Sequence, residues 1–376
     1  MKKNFAGSVF YKHNYTMSPQ NEVLNYKVII LVRKFGLVGG MEEYVYQLAI
    51  ELCKKGFEII IICEQSLTDP PSTKIQVVEL GLSITKPRWF AHLRFAAKAS
   101  KWITGNSHIN AIIHSHERVH CHHLTTFHSS TYNFRCKKKF PNVRDFFNNF
   151  IEARELNYPK VSRIVPVSRL ISSQISEKYP QTLRKLTSPI SPATHPISLS
   201  KKTLSMESPV IGFMGKEWKR KGFLKVIRIW RKIRETIPDA RLCLAGFSLP
   251  KGIHFTPIEL KFVEQLGYVS RKEAFYSKID ILLHPASFEA YGMVIAEAIS
   301  LGIPAICSNQ CGAAEIKNSL LLKMDCDEKT SVWAETTCNH LRTSTSLTNY
   351  NRMKTWSDVA DEYIKLYKTI AKEGIK

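Results

Sequence analysis

The sequence predicts an α/β protein with two doubly wound, parallel-sheet domains. Three observations predict it. Apolar runs of strand length recur, each followed by a polar or glycine-containing loop and a helical pattern. The rhythm breaks once, in a Ser-, Thr- and Pro-rich stretch from about Thr187 to Ser208, and then restarts. The chain's 376 residues suit two domains of ordinary size better than one.

The first unit opens with Lys27-Val28-Ile29-Ile30-Leu31-Val32, a run fit for a buried parallel strand. Gly36, Gly39 and Gly40 make a loop, and Met41 to Lys55 has helical spacing, with Tyr44, Leu48, Ala49 and Leu52 on one stripe. Gly56 ends that helix, and Phe57 to Cys63 is the next strand. Ile109 to His114 and Arg163 to Val167 read as further strands. In the second unit Val210 to Met214 is a strand, Phe223 to Arg234 a helix and Ala240 to Ala245 a strand. Asp280 to His284 and Ala305-Ile306-Cys307 follow the same logic, and Trp356 to Ile370 is helical.

Composition narrows the function. There are 54 Lys+Arg against 32 Asp+Glu, a net charge of +22, which favours anionic partners such as nucleotide diphosphates, anionic lipid or nucleic acid. A general solubility trait would give the same excess. No apolar run approaches the ~18–20 residues of a membrane span, and no apolar segment follows Lys2 and Lys3 as in a signal peptide. Residues 1–25 read as a mobile polar extension. The nine cysteines are scattered without a Cys-x-x-Cys pair, as expected of reduced thiols in a cytoplasm.

The most informative stretch is Phe288-Glu289-Ala290-Tyr291-Gly292-Met293-Val294-Ile295-Ala296-Glu297-Ala298. It joins a strand to a helix, a junction whose unpaired amides bind phosphate, and carboxylates on either side can accept from sugar hydroxyls. The run resembles the signature of the retaining glycosyltransferases of family 4, a Glu, seven residues and a second Glu. The flanking His284-Pro285 and Gly302-Ile303-Pro304 make the match specific. The resemblance runs from about Tyr26 to about Lys372. Within the family the chain is similar to enzymes that add hexoses to the lipopolysaccharide inner core, of the glucosyltransferase I type.

The resemblance implies a GT-B fold: two Rossmann-like domains facing a central cleft, with a C-terminal helix crossing back to the first. The expected division is an acceptor-binding domain over 26–195, a nucleotide-sugar-binding domain over 208–355 and a crossover helix over 356–376. It implies that Gly39 and Gly40, before the first helix, contact the donor; Glu42 stands where relatives often have an acidic residue. In Gly215-Lys216-Glu217-Trp218-Lys219-Arg220-Lys221-Gly222, Gly215 is donor-binding, and Arg220 and Lys221 match the family's cations. Fixed cations stabilise a departing diphosphate without a metal. Glu289 is expected at the donor hexose, the amides of Tyr291, Gly292 and Met293 at its phosphates, and Glu297 at the ribose diol. Without the motif, a plain helix carboxylate is the alternative for Glu297, and a solvated charged face the alternative for the basic run.

Two segments stay open. Between His114 and His128 lie His116, His120, Cys121, His122 and His123. A zinc site would suit these ligand types, but no distant Cys or His pair completes a set. Ordinary core or surface histidines are the plain alternative. The resemblance adds that Thr126-Phe127-His128 matches a family strand whose His hydrogen-bonds the donor sugar; His116 matches a second, less regular family His. Residues 135–163 interleave Lys137-Lys138-Lys139, Arg144, Arg154 and Lys160 with Phe140, Phe146, Phe147 and Phe150. They suit an anionic bilayer or glycolipid acceptor, single-stranded nucleic acid, or an ordinary amphipathic helix.

The implied activity is retaining transfer of a hexose from a nucleotide sugar, UDP-linked, to a glycolipid or polysaccharide such as lipopolysaccharide core, with no metal or other cofactor. The expected location is cytoplasmic, peripheral on the inner face of the membrane, and no nucleic-acid partner is expected. The rivals are an epimerase or phosphorylase on the same fold, the latter needing a pyridoxal-phosphate lysine, and a basic nucleic-acid-binding protein. The chain departs from the family pattern at Ser188-Pro189-Ile190-Ser191-Pro192-Ala193-Thr194 and at 317–327, which lacks the usual Gly-rich run.

Overall fold

The computed structural model describes residues 26–82, 86–132, 142–194, 207–344 and 353–374. Two six-stranded parallel sheets carry the fold. The first contains β1 (Lys27–Leu31), β2 (Ile59–Cys63), β3 (Ile75–Glu79), β4 (Ala111–Ser115), β5 (Leu124–Phe127) and β6 (Arg163–Pro166), in the order β3-β2-β1-β4-β5-β6. The second contains β7 (Val210–Met214), β8 (Arg241–Ala245), β9 (Val263–Gly267), β10 (Ile281–His284), β11 (Ala305–Ser308) and β12 (Leu321–Met324), in the order β9-β8-β7-β10-β11-β12. In both, strand order reverses beside the first strand, and the carboxyl ends there open into a crevice where such sheets take ligands.

The Ile-rich β2 and the β4 run Ala111-Ile112-Ile113-His114-Ser115 are buried at every position, as strands covered by helices on both faces must be. Helix α1 (Gly40–Lys54) lays Tyr44, Val45, Leu48, Ala49 and Leu52 against the first sheet. The chain continues through α2 (Arg88–Gly105), α3 (Val143–Asn157), α4 (Arg169–Lys178), α5 (Phe223–Arg234), α6 (Met293–Ser300), α7 (Thr330–Ser344) and α8 (Trp356–Lys372). In α5, Phe223, Val226, Ile227, Trp230 and Ile233 are buried under the second sheet, at the spacing of one helical face.

Helix α8 does cross back. Thr355 starts it with a capping box, its Oγ1 accepting from Asp358 N at 3.2 Å while Thr355 N donates to the Asp358 carboxylate at 2.8 Å. Trp356, Val359, Ala360, Tyr363, Tyr367 and Ile370 then join the core of the first sheet. The Tyr44 and Tyr363 hydroxyls are 2.9 Å apart within it.

β5 entered the sequence reading only through the resemblance of Thr126-Phe127-His128, and three strands escaped it altogether: β3, β9 and β12. All are sheet edges, and their half-polar sequences lack a continuous apolar run. The interdomain stretch begins later than Thr187. Thr187 N and Ile190 N donate to the Ile164 and Pro166 carbonyls, extending the edge of the first sheet, and Ile190 and Ala193 enter its core. Residues 195–206 of that stretch lie outside the described residues, as do 1–25 and 133–141.

The halves also touch behind the cleft. Ser168 Oγ donates to the Ala290 carbonyl at 2.7 Å. Glu315 Oε1 accepts from the Arg169 and Leu170 amides at 2.6 and 3.2 Å, so a carboxylate of the second half satisfies the N-terminus of α4 in the first.

Candidate active site

Between the sheets lies a cleft of about 820 Å³, lined from both halves. Its walls are built from the carboxyl ends of β1, β5, β7 and β10, so loops distant in sequence converge. Every residue assigned from the sequence to donor or catalytic roles lines it: Gly39, Gly40, His128, Gly215, Arg220, Lys221, Glu289, Tyr291, Gly292, Met293 and Glu297.

Glu289 is the centre of the second-half wall. One of its oxygens lies 3.2 Å from Arg220, 3.5 Å from Lys221 and 3.7 Å from His284. Burial would lift the Glu289 carboxyl, but Lys221, His284 and Arg220 together hold it well below the usual carboxylate range. Arg220 also bonds the Phe288 carbonyl and Glu217. The backbone holds this geometry: Gly222, at φ +85°, caps α5 so close to Pro285 that a Cβ would run into its carbonyl.

After Glu289 the chain turns through Gly292, at φ +103°, into α6. Among the described residues, nothing accepts from the amides of Tyr291, Gly292 or Met293. They form an unfilled anion site at a helix start. Gly215 lines the cleft with its N–H on the Ala245 carbonyl at 3.0 Å, so what it gives the site is close approach of the backbone. Across the cleft, a Cβ on Gly40 would stand 3.9 Å from Met293 Cγ. Lys216 Nζ reaches over to the Val38 carbonyl at 3.0 Å.

Glu297 is 1% exposed, and both its oxygens are engaged. Lys272 Nζ is 2.5 Å from Oε1, and the Tyr276 hydroxyl donates to Oε2 at 2.7 Å. Lys272 also reaches Glu43 of the first half at 3.1 Å. Burial opposes its charge, but Glu297 and Glu43 outweigh it and raise the Lys272 pKa. The helix-dipole alternative for Glu297 is therefore incomplete: a half-buried cation and a buried phenol hold it. Sequence reasoning missed Lys272, Tyr276 and Glu43, and singled out Glu42 where Glu43 makes the contact across the cleft. Lys272 and Tyr276 follow the overlooked edge strand β9, and without that strand neither had a place at the cleft.

On the first-half wall, His128 follows β5, with the Tyr44 ring edge-on at 5.0 Å. Its Nε2 is 2.8 Å from His116 Nδ1. Burial pulls the His128 pKa down to about 3 and that of His116 well below its usual value, so both rings are neutral. His114 bonds Tyr367 through Nδ1 and Thr126 through Nε2, both at 2.8 Å. His123 Nδ1 accepts from Ile113 N at 3.0 Å, and His120 packs against Tyr158. The His-rich segment thus builds the core and the cleft wall. Among the described residues, the one grouping of three metal-ligating side chains is Asp325, Cys326 and Asp327, elsewhere on the surface. Eight of the nine cysteines are described, and all are free thiols.

Residues 38–187 match the family model "Glycosyltransferase Family 4", and residues 197–320 match "Glycosyl transferases group 1". These are glycosyltransferase domains. The chain shares 28% identity over 168 residues with the phosphatidylinositol N-acetylglucosaminyltransferase gpi3 subunit of Schizosaccharomyces pombe. That match covers 41% of this chain and 37% of the relative's length. Its fold is that of WaaG, a glycosyltransferase involved in lipopolysaccharide biosynthesis, at a TM-score of 0.71 and 15% identity, over 92% of this chain and 98% of that one. Anabaena HepE in complex with UDP and glucose is similar at a TM-score of 0.62 and 15% identity, over 93% and 99%. The two sheets, the cleft and the returning α8 make the fold GT-B.

Proposed function

We propose that the protein is a retaining glycosyltransferase that moves a hexose from a UDP-linked donor to a glycolipid or polysaccharide hydroxyl. The observation that carries this reading is the pairing of Glu289, fixed by Arg220, Lys221 and His284, with the unfilled amides of 291–293 a few residues on. A diphosphate would take those amides and share Arg220 and Lys221 with Glu289. Glu289 would accept from hexose hydroxyls, and Glu297, braced by Lys272 and Tyr276, from the ribose diol. The HepE complex with UDP and glucose supports such a donor.

In the transfer, an acceptor oxygen bonds the anomeric carbon on the face the diphosphate leaves. The C–O bond to phosphate breaks, its electron pair stays with the diphosphate, and the acceptor proton passes to a leaving phosphate oxygen. Arg220 and Lys221 supply the fixed positive charge, and no metal is required in this reading. Cleft walls from both halves exclude water from the reacting bond.

The acceptor is membrane-borne in this reading, of the kind found in lipopolysaccharide core. Relatives named for lipopolysaccharide biosynthesis and for a phosphatidylinositol substrate support it. So does the outer face of α3 and the start of α2, where Phe146, Phe150 and Phe90 are exposed, Trp89 stacks on Phe147 at 4.1 Å, and Arg154 and Arg94 lie over Phe150 and Phe90. Aromatic and cationic groups together suit an anionic interface. No helix among the described residues is long and apolar enough to cross a membrane. The reading takes the contact as peripheral, on the inner face of the membrane.

The test is calorimetric titration with UDP, with and without a chelator, on the native chain and on Glu297→Ala and Lys221→Ala. Chelator-resistant binding weakened by both substitutions is expected. Silence with UDP, GDP and ADP would overturn the reading.

A further inference from the structure

His116 has no assigned task, yet it is 4% exposed, and its Nδ1 lies 2.8 Å from Nε2 of His128. One proton must lie between these nitrogens, since two would clash and none would leave no bond. Which ring supplies it decides what His128 shows the cleft. The other nitrogen of His116, Nε2, is buried without a partner among the described residues. Had Nε2 carried the proton, it would be an orphaned buried N–H, which is rarer and costlier than an unfilled lone pair. The proton therefore sits on His116 Nδ1 and points at His128 Nε2, and His128, neutral, carries its own proton on Nδ1. That nitrogen has no partner among the described residues, and His128 lines the cleft.

We propose that His116 is a positioning residue: its Nδ1–H donates to His128 Nε2 and fixes His128 as the Nδ1–H tautomer, a hydrogen-bond donor to a sugar oxygen in the cleft. In this state His128 has no free lone pair on its cleft side. It cannot take the acceptor's proton, in keeping with the departing phosphate oxygen as the proton's destination in the proposed transfer. His116 is itself held in place: its ring packs 4.2 Å from that of His114, which is tied at both nitrogens to Tyr367 of α8 and Thr126 of β5. Only what the Nδ1–H meets rests on the transferase reading; the tautomer does not.

The experiment is nitrogen–proton correlation NMR of the full chain labelled with 15N-histidine, with His128 and His116 assigned by substitution. Expected are a protonated Nδ1 and bare Nε2 on both rings. His116→Leu should release His128 to a tautomer mixture and lower kcat about threefold to tenfold, with donor KM within about threefold. His116→Asn, whose side-chain amide can donate from nearly the same place, should restore the His128 pattern and part of the rate. A protonated Nε2 on His128 in the native chain would overturn the proposal, as would an unchanged His128 tautomer in a folded His116→Leu protein. A correct tautomer with no sugar transfer to any acceptor would count against the transferase reading alone.

Discussion

On the second-half wall, Glu289 keeps its charge because Lys221, Arg220 and His284 surround it. On the first-half wall, His128, His116 and His114 are neutral because burial strips their protons. One wall is a field of fixed charge, and the other is a set of oriented dipoles. Substrate parts differ in the same way: a diphosphate needs charge, whereas sugar hydroxyls need donors and acceptors at set positions. Substitutions that change charge should therefore act mainly through the second half, and those that change geometry through the first.

The largest effect should come from Lys221→Ala, which removes a fixed cation where leaving-group charge grows. Turnover is expected to fall roughly 10²–10³-fold, against roughly tenfold for His128→Ala. Steady-state kinetics on both variants checks this, and equal losses would erase the contrast between walls. Next comes Lys272→Met, which strips the cation from Glu297. Donor KM should rise about tenfold with a smaller change in kcat, measured over a range of UDP-sugar concentrations.

Acid should separate the walls. His122 and His128 are held to a pKa of about 3 and His123 to about 4 by burial, from an ordinary value of 6.5. The unfolded chain binds these protons first, so stability is fully present above pH 6.5 and is lost as pH falls toward 3. The carboxylate wall, with Glu289 depressed further, should fail later. Thermal melts at pH 7, 6 and 5 should show the decline, and His122→Leu should flatten it. The smallest effect is expected of Glu43→Gln, which weakens one contact between the halves while Glu297 still holds Lys272; donor affinity should change less than about fivefold by titration.

Legibility in the sequence followed the same division. Charged motifs confined to one segment, Arg220-Lys221 and the Glu289–Glu297 run, were readable because one strand–helix junction carries each whole constellation. The pairing of Lys272 with Glu43 was not, since it arises from a turn after β9 and the first turn of α1, more than two hundred residues apart, meeting across the cleft. Central strands announced themselves by unbroken apolar runs, whereas β9, with Glu264 and Gln265, reads as polar because one edge faces outward. Ile190 and Ala193 sat among prolines and serines that read as linker, and only packing shows them to be core. The histidines at 114, 116 and 128 were visible as a cluster, but their partners on α1 and α8, Tyr44, Tyr363 and Tyr367, could not be paired with them from spacing.

Helix α8 sets an order of events during synthesis. Tyr363, Tyr367 and Ile370 complete the core of the first sheet, yet they leave the ribosome after every strand of the second. The second half can bury its own centre while the chain is still growing. The first half must wait, with Tyr44 and Thr126 lacking their shared partner Tyr363, until translation has passed residue 370. A chain stopped short of α8 would hold a finished half and an open one.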